Sequence, residues 1–520
     1  MNKLFYKILF SIPFVRSFAE KQYQKIYLRY FQGATSNRLT MDWLTDLESI
    51  NKALKGEFRT LLSRSRDLAV NNDYIKGYLK RCVTNIAGPG GFKLQNRAVK
   101  NNEPDDQLNS LVEEAWDEWC KKEYCDFKQE NSFAELQKIM VKQWKRDGNI
   151  LIKKHYGSNI NKFSFAIELL NIEQLDIAYN STLSNGNVVI MGVEFNESNR
   201  RVAYWIKANK PEYELSFAYM YDYSRQSVRI PAEEIIHFFS KDFPNQVVGY
   251  PAIATSLLTM HDLQGYEKAA IINARGGASK MGFIQTQQGV PLTKSYEGDA
   301  VDEQGNVIRS FSYGEIEQLP PGLEFKGWDP SYPNGEYGSF VKEILRKAAT
   351  GLGVAYANWV GNLEAVNFSS MRSGLLDERD NWKDEQGSFV DGVLLEIFAE
   401  FLKYGMLGGA INVSFANYER ANKPEFIGRR WDWVDPRADV EAKVNAVNNN
   451  LTTLTDVMAE MGVDFEDYVR RRKMELVKLK EIKQLESELG IGKDKKQVNN
   501  AVDSGSNGNG KHLLKHLEMI

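Results

Sequence analysis

The residues able to carry chemistry are few and poorly spaced for it. Five histidines are spread over 520 residues, a thin supply for acid–base work near neutral pH. His155 and His237 fall in strand-like runs without a His or carboxylate companion at metal-ligand spacing, and we read both as structural. The cysteines are Cys82, Cys120 and Cys125. The step from Cys120 to Cys125 lacks the second Cys pair or nearby His of a zinc site. Buried, reduced thiols are the simpler reading and suit a reducing compartment. The acid pairs Asp377-Glu378 and Asp384-Glu385 sit in a charged helical run, where a solvated face is the default. Gly88-Pro89-Gly90-Gly91 is glycine-rich, but proline lacks the N–H a phosphate cradle needs. No GxxxxGK[ST], GxSxG or HExxH string occurs.

The totals narrow the class further. Lys plus Arg number 66 against 69 Asp plus Glu, a formal charge of −3. That balance disfavours a protein gripping nucleic acid through a broad basic surface, since such affinity comes mostly from phosphate neutralisation. Hydrophobic content of 42% suits a folded chain, and 520 residues exceed what one core supports. At the N-terminus, Lys3, Lys7 and an apolar run to Val15 imitate a signal peptide. Lys7 and Pro13 interrupt the run and Arg16 and Glu20 follow, so residues 1–39 read as an arm without stable membrane association. The Lys/Asn/Ser/Gly tail over 491–520 is expected to be disordered.

The elements follow from periodicity. Apolar residues at helical spacing predict helices over 40–85, broken near Asn71-Asn72 with Asp73 as cap, and ending at the GPGG breaker. Two more helices cover 108–146, with Leu111, Ala115, Trp116 and Trp119 on one face and Trp144 as a further core anchor. From Asn149 the period changes to two, giving strands to about Phe239 and an α+β domain. A helix over 252–276 would be about 37 Å long; Ile253, Leu257, Met260, Leu263, Ala270 and Ala274 share one side. A β-rich insert follows, then a helix over 339–351 burying Phe340, Ile344, Leu345 and Ala348 and stopped at Gly351 and Gly353. The apolar loop 354–368 and a long helix from Ser369 to about Tyr404 come next. Further helices are predicted at 436–448, 454–462 and 464–489.

The strings SRDLAVNNDYIKGYLKRCVTNIAGPGG, EEIIHFF with PNQVVGYP, LPPGLEF, DPSYPNGEYGSFVKEILRKAATGLGV, VNFSSMRSGLL and RRWDWVDPRADVEA occur in this order between residues 65 and 442. Together they resemble the portal proteins of tailed bacteriophages, specifically the lambda-type family. The resemblance implies a multidomain α+β portal-type subunit with wing, helical stem, β-rich clip and helical crown, forming a ring with a central channel. By motif order it implies an arm at 1–39, a wing at 40–250, a first stem helix at 251–280 and a clip at 281–335. A second stem helix at 336–352, a channel loop at 353–368, a long helix and wing return at 369–435 and a crown at 436–490 complete it. The implied role is a homododecameric ring at one capsid vertex, assembled in the host cytoplasm, which passes double-stranded DNA without sequence preference. Its implied partners are further copies of itself, the terminase large subunit, the major capsid and scaffold proteins, and head-completion or tail connector proteins. No cofactor is expected. A metal-dependent nucleic-acid-processing enzyme using scattered carboxylates is the alternative.

On this mapping Val354, Tyr356, Trp359, Asn362, Val366 and Asn367 are candidate channel-loop residues, exposed where identical loops meet. Leu257, Ala270, Ala274, Ile344 and Ala348 are the candidate stem-packing set, with Ala270 and Ala274 set against a neighbouring subunit. Glu297, Asp299, Asp302 and Glu303 form a candidate partner surface on an exposed clip loop. Arg64, Arg66, Lys80 and Arg81 read as a solvated face with subunit salt bridges. Arg429-Arg430 with Trp431 and Trp433 read as packing with intersubunit ion pairs.

Overall fold

A computed structural model describes residues 38, 48–101, 103–207, 227–278, 282–286, 300–301, 307–308, 323–327, 337–362, 368–431, 436–460 and 465–488. The chain divides into two compact units. The smaller comprises residues up to Glu57 with Phe243–Gln246, and the larger Phe58–Asp242 with the chain from Val247 onward. In the smaller unit Asn51 donates from Nδ2 to the Asn245 carbonyl at 2.8 Å. The larger unit holds nearly all of the described elements.

Helix α1 (Ile50–Asn71) hands over to α2 (Asp73–Ile86) at a single extended residue, Asn72. Asn72, not Asp73, is the cap: its side chain accepts the Ile75 N–H at 3.0 Å, and Asp73 lies in the first turn. Strand β1 (Lys93–Asn96) precedes α3 (Asp106–Trp119). The buried face of α3 is Leu108, Val112, Trp116 and Trp119, while Leu111, expected inside, is 45% exposed. Helix α4 (Phe133–Asp147) opens on a capping box between Ser132 and Glu135 and closes on Gly148 in the left-handed region.

The period-two segment forms two antiparallel sheets. Strands β2 (Ile150–Tyr156) and β3 (Phe165–Leu170) pair, as do β4 (Ser181–Thr182), β5 (Val188–Ile190), β6 (Val193–Phe195), β7 (Arg201–Lys207) and β8 (Ser227–Pro231) in sequence. The run 188–196, which alternates as one strand, is instead the β5–β6 hairpin, turned at Met191-Gly192. Strand β9 (Ile235–Phe238) returns to the first sheet beside β2, giving the order β9-β2-β3.

A 3-10 turn at Ala254–Ser256 leads into α5 (Leu257–Ala278), so the α-helix begins five residues later than its sequence suggests. Then β10 (Gly282–Thr286), β11 (Ala300–Val301), β12 (Val307–Ile308) and β13 (Leu323–Gly327) form two antiparallel pairs, β10 with β13 and β11 with β12. Helix α6 (Tyr337–Leu352) ends on Gly353 at φ +68, where Val354 N–H bonds back to the Ala349 carbonyl at 3.1 Å. A short helix α7 (Tyr356–Val360) lies within the stretch expected to be loop. Helix α8 (Phe368–Phe389) continues through a π-turn at Val390–Leu394 into α9 (Leu395–Leu407). Strand β14 (Pro424–Ile427) pairs with β1, and α10 (Pro436–Asn448), α11 (Leu454–Glu460) and α12 (Phe465–Glu488) follow.

One aromatic cluster joins the first and last parts of this unit. Trp116 stacks on Trp119 at 5.0 Å and meets Phe133, Phe398, Phe401 and Phe426 edge-on. The Trp119 indole N–H donates to the Phe165 carbonyl at 3.0 Å, satisfying the polar edge of a fully buried ring. Burial of each such side chain stabilises by roughly 1.5–3 kcal/mol. The tryptophans are thus core anchors, as their spacing predicts.

Candidate functional site

Three segments far apart in sequence meet at the root of the candidate channel loop: the start of α2, the middle of α5, and α7. The Trp359 indole N–H donates to the Tyr74 carbonyl at 2.9 Å, and the two rings meet at 6.1 Å and 65°. The Tyr74 hydroxyl in turn donates to Glu267 Oε1 on α5 at 3.2 Å. Burial, then the neighbouring Glu267 carboxylate, pushes the Tyr74 hydroxyl up to about 12. On the other side of α7, Asn358 Nδ2 donates to Glu378 Oε2 at 2.6 Å, and Trp382 Nε1 donates to Glu378 Oε1 at 3.2 Å. Arg346 of α6 lies over the Tyr356 ring, 5.7 Å from its centre.

This arrangement corrects the expectation of an exposed apolar loop. Val354 and Trp359 are each only 7% exposed within a single subunit. Tyr356 and Asn362 are half-buried, and Val366 and Asn367 lie outside the described residues. The reason is local: a tryptophan that finds both an apolar bed and an acceptor for its N–H is better buried than left at a tip.

The acid pairs of α8 divide likewise. Asp377 and Asp384 face solvent, whereas Glu378 is buried and Glu385 turns inward to Lys145, 2.6 Å away. Glu378, Trp382, Glu385 and Phe389 follow the i, i+4, i+7, i+11 stripe of one helix face, the signal that could have revealed their inward direction. Lys145 is almost fully enclosed and Lys154, equally enclosed, pairs with Glu396 at 2.7 Å. These ion pairs tie α8 and α9 to the sheet and α4.

In the stem, Leu257, Ala270 and Ala348 are buried, while Ala274 and Ile344 are half-buried. Ala270 is therefore already covered by its own subunit, contrary to its expected place between subunits. Helix α6 buries Val341, Leu345, Ala348, Ala349 and Leu352, and Phe340, expected inside, is 50% exposed against Tyr266. The opposite side of α5 carries a second apolar strip, Leu258, Gly265, Ala269 and Ile272, all exposed.

Where the sheet meets the stem, two backbones touch. A Cβ on Gly148 would lie 2.2 Å from the Tyr250 carbonyl carbon, and one on Gly249 would lie 2.1 Å from Gly148 O. Asn149 bridges them, accepting from Gly249 N–H at 2.7 Å and donating to its carbonyl at 3.0 Å. His237 Nε2 lies 3.1 Å from the same Asn149 Oδ1. Burial, followed by Arg201 and Lys241, holds the His237 imidazole well below its usual value, so it is neutral and structural. His155 lies beside Glu168 on the adjacent strand at 2.9 Å, a carboxylate partner that linear spacing does not disclose.

Among the remaining candidates, Arg66 and Arg429 find partners within the chain. Arg66 forms bidentate pairs with the buried Asp147 and with Glu173, which raises its pKa despite burial. Arg64 and Lys80 are exposed and Arg81 half-buried. Arg429 donates to Asn85 Oδ1 at 2.8 Å and to the Thr84 carbonyl at 3.1 Å, and Trp431 Nε1 donates to Asn85 Oδ1 at 3.0 Å. That cluster closes the end of α2 within the chain, Arg430 is exposed, and Trp433 lies outside the described residues. Burial pushes the Cys82 and Cys125 thiols up to about 12. Glu297, Asp299, Asp302 and Glu303 lie outside the described residues, and Ala300–Val301 between them pair with β12. Among the described residues no three His, Cys, Asp or Glu side chains group as metal ligands, and no helix is long and apolar enough to cross a membrane.

The site is a braced loop root, with Trp359 held by Tyr74 and Asn358 held by Glu378. The model of the phage portal proteins of the lambda family matches residues 36–386. The chain is 30% identical over 446 residues to the probable portal protein of Halomonas phage phiHAP-1, covering 84% of each. It is 19% identical over 455 residues to the portal protein of Escherichia phage N15, covering 82% of this chain and 85% of that one. Among solved structures, the neck of an empty GTA particle computed with C6 symmetry is similar at a TM-score of 0.42 and 13% identity, covering 78% of this chain and 93% of that one. The chain belongs to the lambda family of phage portal proteins.

Proposed function

We propose that this protein forms a homododecameric ring at one capsid vertex, assembled in the host cytoplasm, and that DNA enters and leaves the head through its centre. The family match across residues 36–386 is the observation that carries this reading. The ring nucleates head assembly with the capsid and scaffold proteins. Its clip, with the acidic run Glu297, Asp299, Asp302 and Glu303, receives the terminase and later the connector proteins. The near-neutral charge of −3 fits a conduit, since every stable phosphate contact adds a salt-sensitive barrier to sliding.

The stem supports a ring by a specific face. Helix α5 buries Met260, Leu263 and Ala270 inside the subunit, and the opposite strip, with Leu258 71% and Ile272 57% exposed, is left for a neighbour. Gly265, beside which a Cβ would meet nothing within 4 Å, and Ala269 let a second helix approach closely.

Electron microscopy of the purified protein viewed down its symmetry axis tests the proposal. Closed rings with an open centre are expected. Monomers or open chains under every solution condition that keeps the protein folded would refute the ring.

A further inference from the structure

The described residues hold no grouped metal ligands, and the buried ion pairs each have a local bracing role. Tyr74 stands apart, because a single residue touches two mechanically distinct elements by different atoms. Its hydroxyl reaches Glu267 in the middle of α5 at 3.2 Å. Its carbonyl and ring hold Trp359 of α7, at 2.9 Å and 6.1 Å respectively. The hydroxyl makes the hydrogen bond to α5, and the carbonyl and ring make the contacts to Trp359.

We propose that Tyr74 is a positioning residue that couples the stem helix α5 to the root of the 353–368 loop, so that a shift of α5 is felt at Trp359. The other contacts around it favour transmission over absorption. Tyr266, next to Glu267, stacks on Tyr337 of α6 at 5.8 Å and 17°, so that α5 and α6 are pinned together close to the Glu267 tie. Asn358, next to Trp359, is held by the buried Glu378 at 2.6 Å, which leaves α7 braced on its far side. A tilt of α5 that pulls on Glu267 therefore turns α7 about a fixed point.

The coupling belongs to one subunit and needs neither DNA nor a ring, so its failure would leave the assembly proposal standing. The test is amide hydrogen exchange on the full-length protein carrying Tyr74→Phe, Glu267→Leu or Glu267→Gln. Tyr74→Phe removes only the hydroxyl and leaves the carbonyl and ring on Trp359. Glu267→Leu removes the acceptor, and Glu267→Gln keeps one. Exchange at the amides of residues 356–361 is expected to rise about fivefold or more in the first two variants and to stay within about twofold in the third. Unchanged exchange at 356–361 in both disruptive variants would overturn the proposal. So would an equal rise throughout α2, since Tyr74 would then be a core residue of its own helix and nothing more. If Tyr74→Phe does not fold, the contrast between the two Glu267 variants decides the matter by itself.

Discussion

Trp359 donates its indole N–H to the main-chain carbonyl of Tyr74, 285 positions earlier in the chain, at 2.9 Å. That bond turns what reads as a free apolar loop into a braced segment, with the next residue back, Asn358, fixed to the buried Glu378. Any movement of this segment must therefore begin beyond this anchor or break it.

Trp359→Phe keeps an aromatic ring and loses the donor, and should lower stability by about 1 kcal/mol. Trp359→Ala also empties the site and should cost about 3–5 kcal/mol. Denaturation followed by far-UV circular dichroism checks both. Equal effects from the two variants would mean that packing contributes nothing beyond the hydrogen bond.

Two glycines with positive φ should respond very differently to alanine. At Gly148 a Cβ would sit 2.2 Å from the main chain of Tyr250, which has no room to yield, so Gly148→Ala should be insoluble or unfolded. At Gly353 nothing lies within 4 Å, and Gly353→Ala should cost only the left-handed backbone penalty, about 1–2 kcal/mol. Soluble yield and melting temperature separate the outcomes.

The stem provides a test of assembly in which folding is controlled. Ala270 is 7% exposed, so Ala270→Glu places a carboxylate inside the subunit and should fail to fold. Ala269, the residue before it, faces out; Ala269→Glu should keep the melting temperature of the unaltered subunit and block ring closure by light scattering. Normal rings from Ala269→Glu would remove this strip from the subunit contact.

His237 should make stability fall with acid. Its folded pKa lies well below the ordinary 6.5 because burial, then Arg201 and Lys241, oppose the charge. As pH drops below 6.5 the unfolded chain takes up a proton that the folded chain refuses, and stability decreases by at most about 1.4 kcal/mol per pH unit until the folded pKa is reached. His237→Gln keeps an N–H for Asn149 and cannot titrate. Its melting temperature should fall less between pH 7 and pH 5 than that of the unaltered protein, and parallel falls would assign the acid sensitivity elsewhere.

The sequence by itself determined the family, through long ordered strings, and the class of most elements, through periodicity. The helix pair around Asn72, the tryptophan core on α3 and α4, the switch to strands at Asn149 and the helices α5 and α6 bracketing short strands all stand where local pattern puts them, with boundaries displaced by a few residues. Tertiary structure alone decided which of two faces a helix turns to its own core. On α5 both Ala269 and Ala270 suit a close contact, yet only Ala270 finds one inside the subunit. On α8 the stripe through Trp382 and Phe389 marks the face that carries Glu378 and Glu385, but only the fold brings Asn358 and Lys145 to them as partners. Local pattern reports the spacing of apolar side chains along one segment. A buried carboxylate or indole N–H is stable only with a partner, and here the partners come from segments that the chain brings together only on folding.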